Sequence, residues 1–133
     1  MAALEAAQDL KAPIILQVSS GGSAFFAGKG LKAPEHEAMV QGAVAAAHYI
    51  RAIAPAYGIP VVLHSDHCHQ KDLPWLDGML VADKKHKDAT GEPLFSSHMI
   101  DLSALPDAEN IGTTKEYLKR SKEAGTWLEM EVR

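Results

Sequence analysis

Short apolar runs alternate along this chain with longer stretches in which apolar residues recur every three or four positions. Ala3 to Lys11 reads as a helix. Pro13-Ile-Ile-Leu-Gln-Val18 then has few polar breaks, the pattern of a strand covered on both faces. Ser19-Ser20-Gly21-Gly22-Ser23 reads as a turn-rich loop, and Gly28-Lys29-Gly30 extends the irregular stretch. From about Glu37, a stripe of Met39, Ala43, Ala46, Ala47, Ile50, Ile53 and Ala54 predicts a helix that Pro55 and Gly58 end. Pro60 to Ser65 is the second predicted strand. Pro74 suits the first turn of the next helix, in which Leu76, Met79, Leu80 and Lys84 follow at helical spacing and which Thr90-Gly91-Glu92-Pro93 breaks. Leu94 to Asp101 is the third predicted strand. Pro106-Asp107 opens a last helix, in which Ile111, Lys115, Leu118 and Lys122 recur at helical spacing, and Gly125 ends it. In the fourth strand, Trp127 to Val132, Leu128, Met130 and Val132 alternate with Trp127, Glu129 and Glu131.

The predicted order is α-β-α-β-α-β-α-β. Crossovers of this length imply a parallel sheet and an α/β fold. An open doubly wound sheet and part of an eight-stranded barrel both fit, and periodicity does not choose between them. A first helix with no strand before it, and a last strand with no helix after it, favour a piece of a barrel. No repeat, low-complexity run or linker divides the chain, so residues 1–133 read as a single partial domain.

Composition narrows the function classes. The 133 residues are 47% apolar, enough for a packed core. Thirteen basic against seventeen acidic residues, a net charge of −4, leave no cationic footprint for nucleic acid. No apolar run approaches the ~20 residues of a membrane helix. Met1-Ala-Ala-Leu-Glu5 lacks the basic segment and apolar stretch of a secretory signal. One cysteine cannot close an internal disulfide, which suits a reducing cytosol.

The chemistry-bearing residues gather after the second strand, in Leu63-His64-Ser65-Asp66-His67-Cys68-His69. Catalytic groups of parallel α/β proteins lie at the carboxyl ends of strands. His67 has the chemistry of a zinc ligand; its ordinary alternative is a packed or surface histidine. Asp66 could act as a general acid/base, or be a turn aspartate. Strict alternation sends Asp66 and Cys68 one way and Ser65, His67 and His69 the other. Asp66 and His67 therefore share a face only if the strand ends or bulges between them. Asp101 and Glu131 end the third and fourth strands. In a parallel sheet Ser19, Asp66, Asp101 and Glu131 fall on one edge, though each acid alone could be a loop residue or helix cap. The Ser19–Ser23 loop offers hydroxyls and N–H groups to a phosphate without a Walker or dinucleotide spacing. Cys68 has no C-x-x-C partner and reads as a bystander. His64 and His98 read as packed or hydrogen-bonded. Lys84-Lys85-His86-Lys87, offset by Asp83 and Asp88, reads as a solvated helix face.

Several segments carry a family resemblance: Pro13-Ile-Ile-Leu-Gln-Val-Ser-Ser-Gly-Gly22, Phe26-Ala-Gly-Lys-Gly30, His48 through Cys68, Leu73-Pro-Trp75, Gly91 through Ser103, and Trp127-Leu-Glu-Met-Glu131. Together they resemble class II, metal-dependent fructose-bisphosphate aldolase of the fungal and enterobacterial type, over nearly the whole chain. S-D-H-C and F-S-S-H-M-I-D-L-S are specific to that family. The resemblance implies a (β/α)₈ barrel, dimeric and cytoplasmic. The implied reaction is reversible cleavage of fructose 1,6-bisphosphate into dihydroxyacetone phosphate and glyceraldehyde 3-phosphate. A zinc ion would polarise the ketone and stabilise the enediolate, with no lysine Schiff base. By the same resemblance Asp66 is the acid/base at the C4 oxygen, and His67 is one of three histidines on the catalytic zinc. Asp101 and Glu131 surround a second divalent metal, and Ser19 contacts a phosphate.

A full barrel takes roughly 250 residues and this chain is about half of that. By resemblance it spans the second to fifth strands. It lacks the proton-abstracting glutamate, two zinc histidines and the groups for the second phosphate, so the isolated chain is expected to be inactive. The alternative is a non-catalytic half-barrel that self-associates through its sheet edges. His69 stands where the family usually has alanine, and Arg133 where it usually has glycine.

Overall fold

The computed structural model describes residues 1–132; Arg133 lies outside the described residues. The elements, in order, are α1 (Ala2–Asp9), β1 (Ile14–Val18), α2 (Ser20–Ala27), α3 (Glu35–Ile53), β2 (Val61–His69), α4 (Leu73–Thr90), β3 (Ser97–Asp101), α5 (Asp107–Ala124) and β4 (Trp127–Glu131). The four strands form one parallel sheet in the order β1-β2-β3-β4. A doubly wound sheet reverses its strand order at a switch point. Here each strand pairs with the next in sequence. Helix α2 packs on α3, α3 on α4, and α4 on α5, so the helices form one layer. This is the arrangement of a β/α barrel wall, and it settles the choice that periodicity left open.

The core lies between sheet and helices. Leu76, Met79 and Trp75 of α4 meet Leu63, Cys68 and Ile100 of the sheet there, all nearly or fully buried. The opposite face has no helix on it: Ile15 is 63% and Trp127 81% exposed. Polar residues of the same face, Gln17, His64, Ser97 and Glu129, line one shallow depression with them. Among the described residues no helix is long and apolar enough to cross a membrane.

Several features differ from the sequence reading. Helix α5 buries Asn110, Thr114, Tyr117, Ser121 and Ala124, while Ile111 and Leu118 of the expected stripe are exposed. Ser20 to Ala27 is helical where a loop is predicted. The Ser19 hydroxyl accepts the Gly22 N–H at 3.1 Å and caps the helix. The helix then packs on the small-residue face of α3, whose Gly42, Ala43, Ala46 and Ala47 are buried. The second strand runs to His69 rather than stopping at Ser65. The third begins at Ser97, not Leu94. Before it, the Arg51 guanidinium binds the carbonyls of Pro93 and Leu94, and a carboxylate takes the Phe95 N–H. Those backbone groups are satisfied outside a ladder, while Leu94 and Phe95 stay buried.

Gly42 permits the closest helix contact. A Cβ there would lie 1.8 Å from the Ser23 carbonyl oxygen. Overpacking against backbone is expensive because the backbone cannot rotate away. Gly42→Ala is expected to lower stability by at least ~2 kcal/mol, measured by urea denaturation. A neutral result would mean α2 is not seated on α3 in solution.

Candidate active site

The carboxyl ends of all four strands lie at one edge, where registers pair Val18 with Ser65, His69 with Asp101, and Asp101 with Glu131. The sequence-predicted set of Ser19, Asp66, His67, Asp101 and Glu131 therefore converges on this edge. Its geometry is decided in β2. Ser65 pairs with His98, but Cys68, not His67, pairs with Ile100. Asp66 and His67 together oppose the single residue Met99, a β-bulge, and His67 has φ of 22°.

The bulge replaces the alternation expected from the sequence. Ser65 and Cys68 are both fully buried on the helix side. Asp66, His67 and His69 are brought to the other side. There Asp66 Oδ1 lies 3.9 Å from His67 Nε2 and accepts the Gln17 amide at 3.0 Å. Gln17 was not singled out by the sequence; it lies in β1 in register with His64, on the open face.

His67 Nδ1 is 2.9 Å from Asp101 Oδ2 and 4.0 Å from Glu131 Oε2. These three residues each offer a donor atom within 4.8 Å of the other two. His69 Nδ1 stands 3.1 Å from the same Asp101 oxygen. The other Asp101 oxygen accepts the Ser103 hydroxyl at 2.7 Å and its N–H at 3.2 Å. Burial pushes the Asp101 carboxyl up, but the bonds from His67 and Ser103 outweigh it and bring its pKa down to about 2. The Asp101 bond raises the pKa of His67 above its ordinary value, against a smaller opposing effect of burial. An ionised carboxylate only accepts, so His67 Nδ1 carries the hydrogen and Nε2 turns toward Asp66. Glu131 is positioned through its backbone, whose carbonyl accepts the Asn110 amide of α5 at 2.9 Å.

Beneath the bulge lies a second polar assembly. Ser65 Oγ is 2.7 Å from His98 Nδ1, and His98 Nε2 is 2.7 Å from Asp83 Oδ2. Asp83 Oδ1 accepts the Phe95 N–H at 2.7 Å. Ser65, His98 and Asp83 are all fully buried, which corrects the reading of Asp83 as a solvated counter-charge. His98 is hydrogen-bonded, as its strand position suggests. Cys68 donates to the Asp72 carbonyl at 3.3 Å, and burial pushes its thiol up to about 12. It is inert, the bystander that the sequence implies. Ser19 stands exposed at the end of β1, its hydroxyl directed into the first turn of α2.

The family model described as "Fructose-bisphosphate aldolase class-II" matches residues 1–133. The chain is 67% identical over 134 residues to the fructose-bisphosphate aldolase of Neurospora crassa, covering 99% of this chain and 37% of that protein. It is 63% identical over 132 residues to the fructose-bisphosphate aldolase of Saccharomyces cerevisiae, again covering 99% of this chain and 37% of the relative. The crystal structure of fructose-bisphosphate aldolase from Campylobacter jejuni superposes with a TM-score of 0.93 at 43% identity, over 98% of this chain and 36% of that one. The YdjI aldolase of Escherichia coli, at 24% identity and a TM-score of 0.60, shares the fold. This chain thus spans a little over a third of the length of the relatives it matches.

Two outcomes follow from the two His–Asp pairs. Asp83→Ala strands a buried imidazole and a buried N–H, so urea denaturation should register a loss of ~3–5 kcal/mol. A loss near zero would mean that water reaches the pair. For His67–Asp101, Asp101 has a lowered pKa, so its contribution is present above its ordinary 3.8 and lost as pH falls toward about 2. His67 has a raised pKa, so its contribution is complete below its ordinary 6.5 and lost as pH rises through the raised value. The stability difference between the metal-free wild type and His67→Gln should peak between those two ordinary values. A difference flat from acid to alkaline pH would contradict the pairing.

Proposed function

The chain belongs to the class II fructose-bisphosphate aldolase family, and on that premise we propose that it carries the acid–base end of such an enzyme's site. The reaction is reversible cleavage of fructose 1,6-bisphosphate into dihydroxyacetone phosphate and glyceraldehyde 3-phosphate. The observation that supports this most is the bulge, which puts Asp66 beside His67 at the edge where Asp101 and Glu131 end their strands.

The donor set fits a divalent metal. One imidazole and two carboxylates, the nearer of them held ionised, suit zinc better than a purely oxygen-liganding cation. By the family reading His67 would be one of three histidine ligands of the catalytic zinc, and Asp101 and Glu131 would surround a second metal position beside it. When bound, the ion supplies Lewis-acid stabilisation of charge at the substrate carbonyl.

Asp66 is half-exposed, and Gln17 fixes its carboxylate. It takes the proton from the C4 hydroxyl as the C3–C4 bond breaks and the aldehyde forms; in the reverse direction it returns that proton. The electron pair of the broken bond passes to the ketone-derived fragment. Ser19 and the N–H groups opening α2 face the same edge and receive a substrate phosphate. A cytoplasmic, glycolytic homodimer is the setting that the family brings to this reading.

Zinc titration of the 133-residue chain, of His67→Ala and of Asp66→Asn tests the assignment. Zinc should bind the wild type and Asp66→Asn, and bind His67→Ala at least roughly tenfold more weakly. Zinc binding indifferent to His67 would overturn the reading. In a coupled assay with fructose 1,6-bisphosphate the chain by itself should show no turnover, since a single zinc histidine is present. Chelator-sensitive turnover would contradict that expectation.

A further inference from the structure

His69 takes no part in the site just proposed, yet its position is set by the same bulge. It follows the extra residue, on the open side of the sheet, directly in register with Asp101. Its Nδ1 lies 3.1 Å from Asp101 Oδ2, the oxygen that also lies 2.9 Å from His67 Nδ1. One carboxylate oxygen is thus flanked by two imidazole nitrogens, with the ring centres 6.1 Å apart.

Each of these two nitrogen–oxygen separations is that of a neighbouring ligand pair on one ion, while His69 stays outside the His67, Asp101 and Glu131 set whose donor atoms all lie within 4.8 Å of one another, so its ring has to turn to join them. Donors bound at about 2.0–2.1 Å lie about 3.0–3.4 Å from one another in octahedral or tetrahedral sites. The shared carboxylate is nine-tenths buried and fixed by Ser103. His69 is 55% exposed, so its ring is free to turn. Beyond it a cleft of about 410 Å³, lined by His69, Asp101 and Ser103 among others, leaves room for a hydrated cation.

We infer that His69 is a further metal ligand, which joins His67 and Asp101 in holding a divalent cation at the end of β2 and β3. This deepens the metal centre proposed above by assigning His67, His69 and Asp101 to one ion rather than to two neighbouring positions, and it rests on that centre. A bound cation would take the place of the hydrogen on His67 Nδ1; the neutral ring would then carry its hydrogen on Nε2, beside Asp66, and only a doubly protonated ring would give up a proton to solvent. A second nitrogen donor changes which ions fit. It directs the site toward zinc, nickel, cobalt or copper and away from magnesium and calcium, which prefer oxygen. All these ligands come from adjacent strands of this chain.

The test is competition against a chromophoric chelator, with zinc and separately with magnesium, on the wild-type chain, His69→Ala and His67→Ala. Cobalt absorption in the visible region reads the nitrogen ligands directly. Far-UV circular dichroism checks that the variants fold, which the exposure of His69 favours. His69→Ala should weaken zinc at least roughly tenfold, alter the cobalt spectrum and leave any magnesium affinity unchanged. His67→Ala should weaken zinc as well. If His69→Ala binds zinc and cobalt as the wild type does while His67→Ala does not, this inference falls and the proposed centre stands. If neither substitution matters, both fall. A loss confined to His69→Ala would also overturn a site shared with His67.

Discussion

One extra residue in the second strand organises the chemistry of this chain. Before the bulge, Ser65 lies against the helices. Without it, His67 would follow Ser65 onto the helix side and Cys68 would face the open side. With it, the thiol goes into the core and both imidazoles, His67 and His69, stay with Asp66 on the open side. The carboxylate of Asp101 then has nitrogen on two sides. No other strand carries such an irregularity among the described residues, and each contributes its terminal group through ordinary pairing.

The two faces of the β2–β3 pair use the same chemical couple for opposite ends. On the helix side, His98 and Asp83 are fully buried and hydrogen-bonded to each other, to Ser65 and to the Phe95 backbone N–H. On the open side, His67 is half-exposed, and its Nε2 has only a distant carboxylate as a neighbour. The buried couple holds the strands in place immediately before and beside the bulge. The open couple can exchange its partners for a ligand.

Much of this was legible in the sequence, because the two-residue and three-to-four-residue periods are strong. The four strands, their parallel order and the convergence of Ser19, Asp66, Asp101 and Glu131 on one edge all follow from them. The α2 helix was not legible. Gly21 and Gly22 disfavour a helix locally, and what offsets them is packing on Gly42, a contact remote in sequence. The bulge could be stated only as a condition, since nothing in S-D-H-C reveals a left-handed His67. Asp83 was legible and overlooked. It continues the stripe of Leu76, Met79 and Leu80 onto the buried face, but its lysine neighbours disguise it as part of a solvated run. Ser103, two residues past Asp101, has the spacing of a side chain returning to a turn carboxylate.

The Ser65–His98–Asp83 chain has a consequence for how the molecule opens. Its members sit on β2, β3 and α4, and each bond is directional. None of the three elements can detach without stranding polar atoms on the other two in a dry interior. They are therefore bound into one cooperative unit, and fluctuations that expose the amides of one expose those of all three. The face that carries the reactive groups is open to solvent, while its support is among the last parts of the chain to come apart.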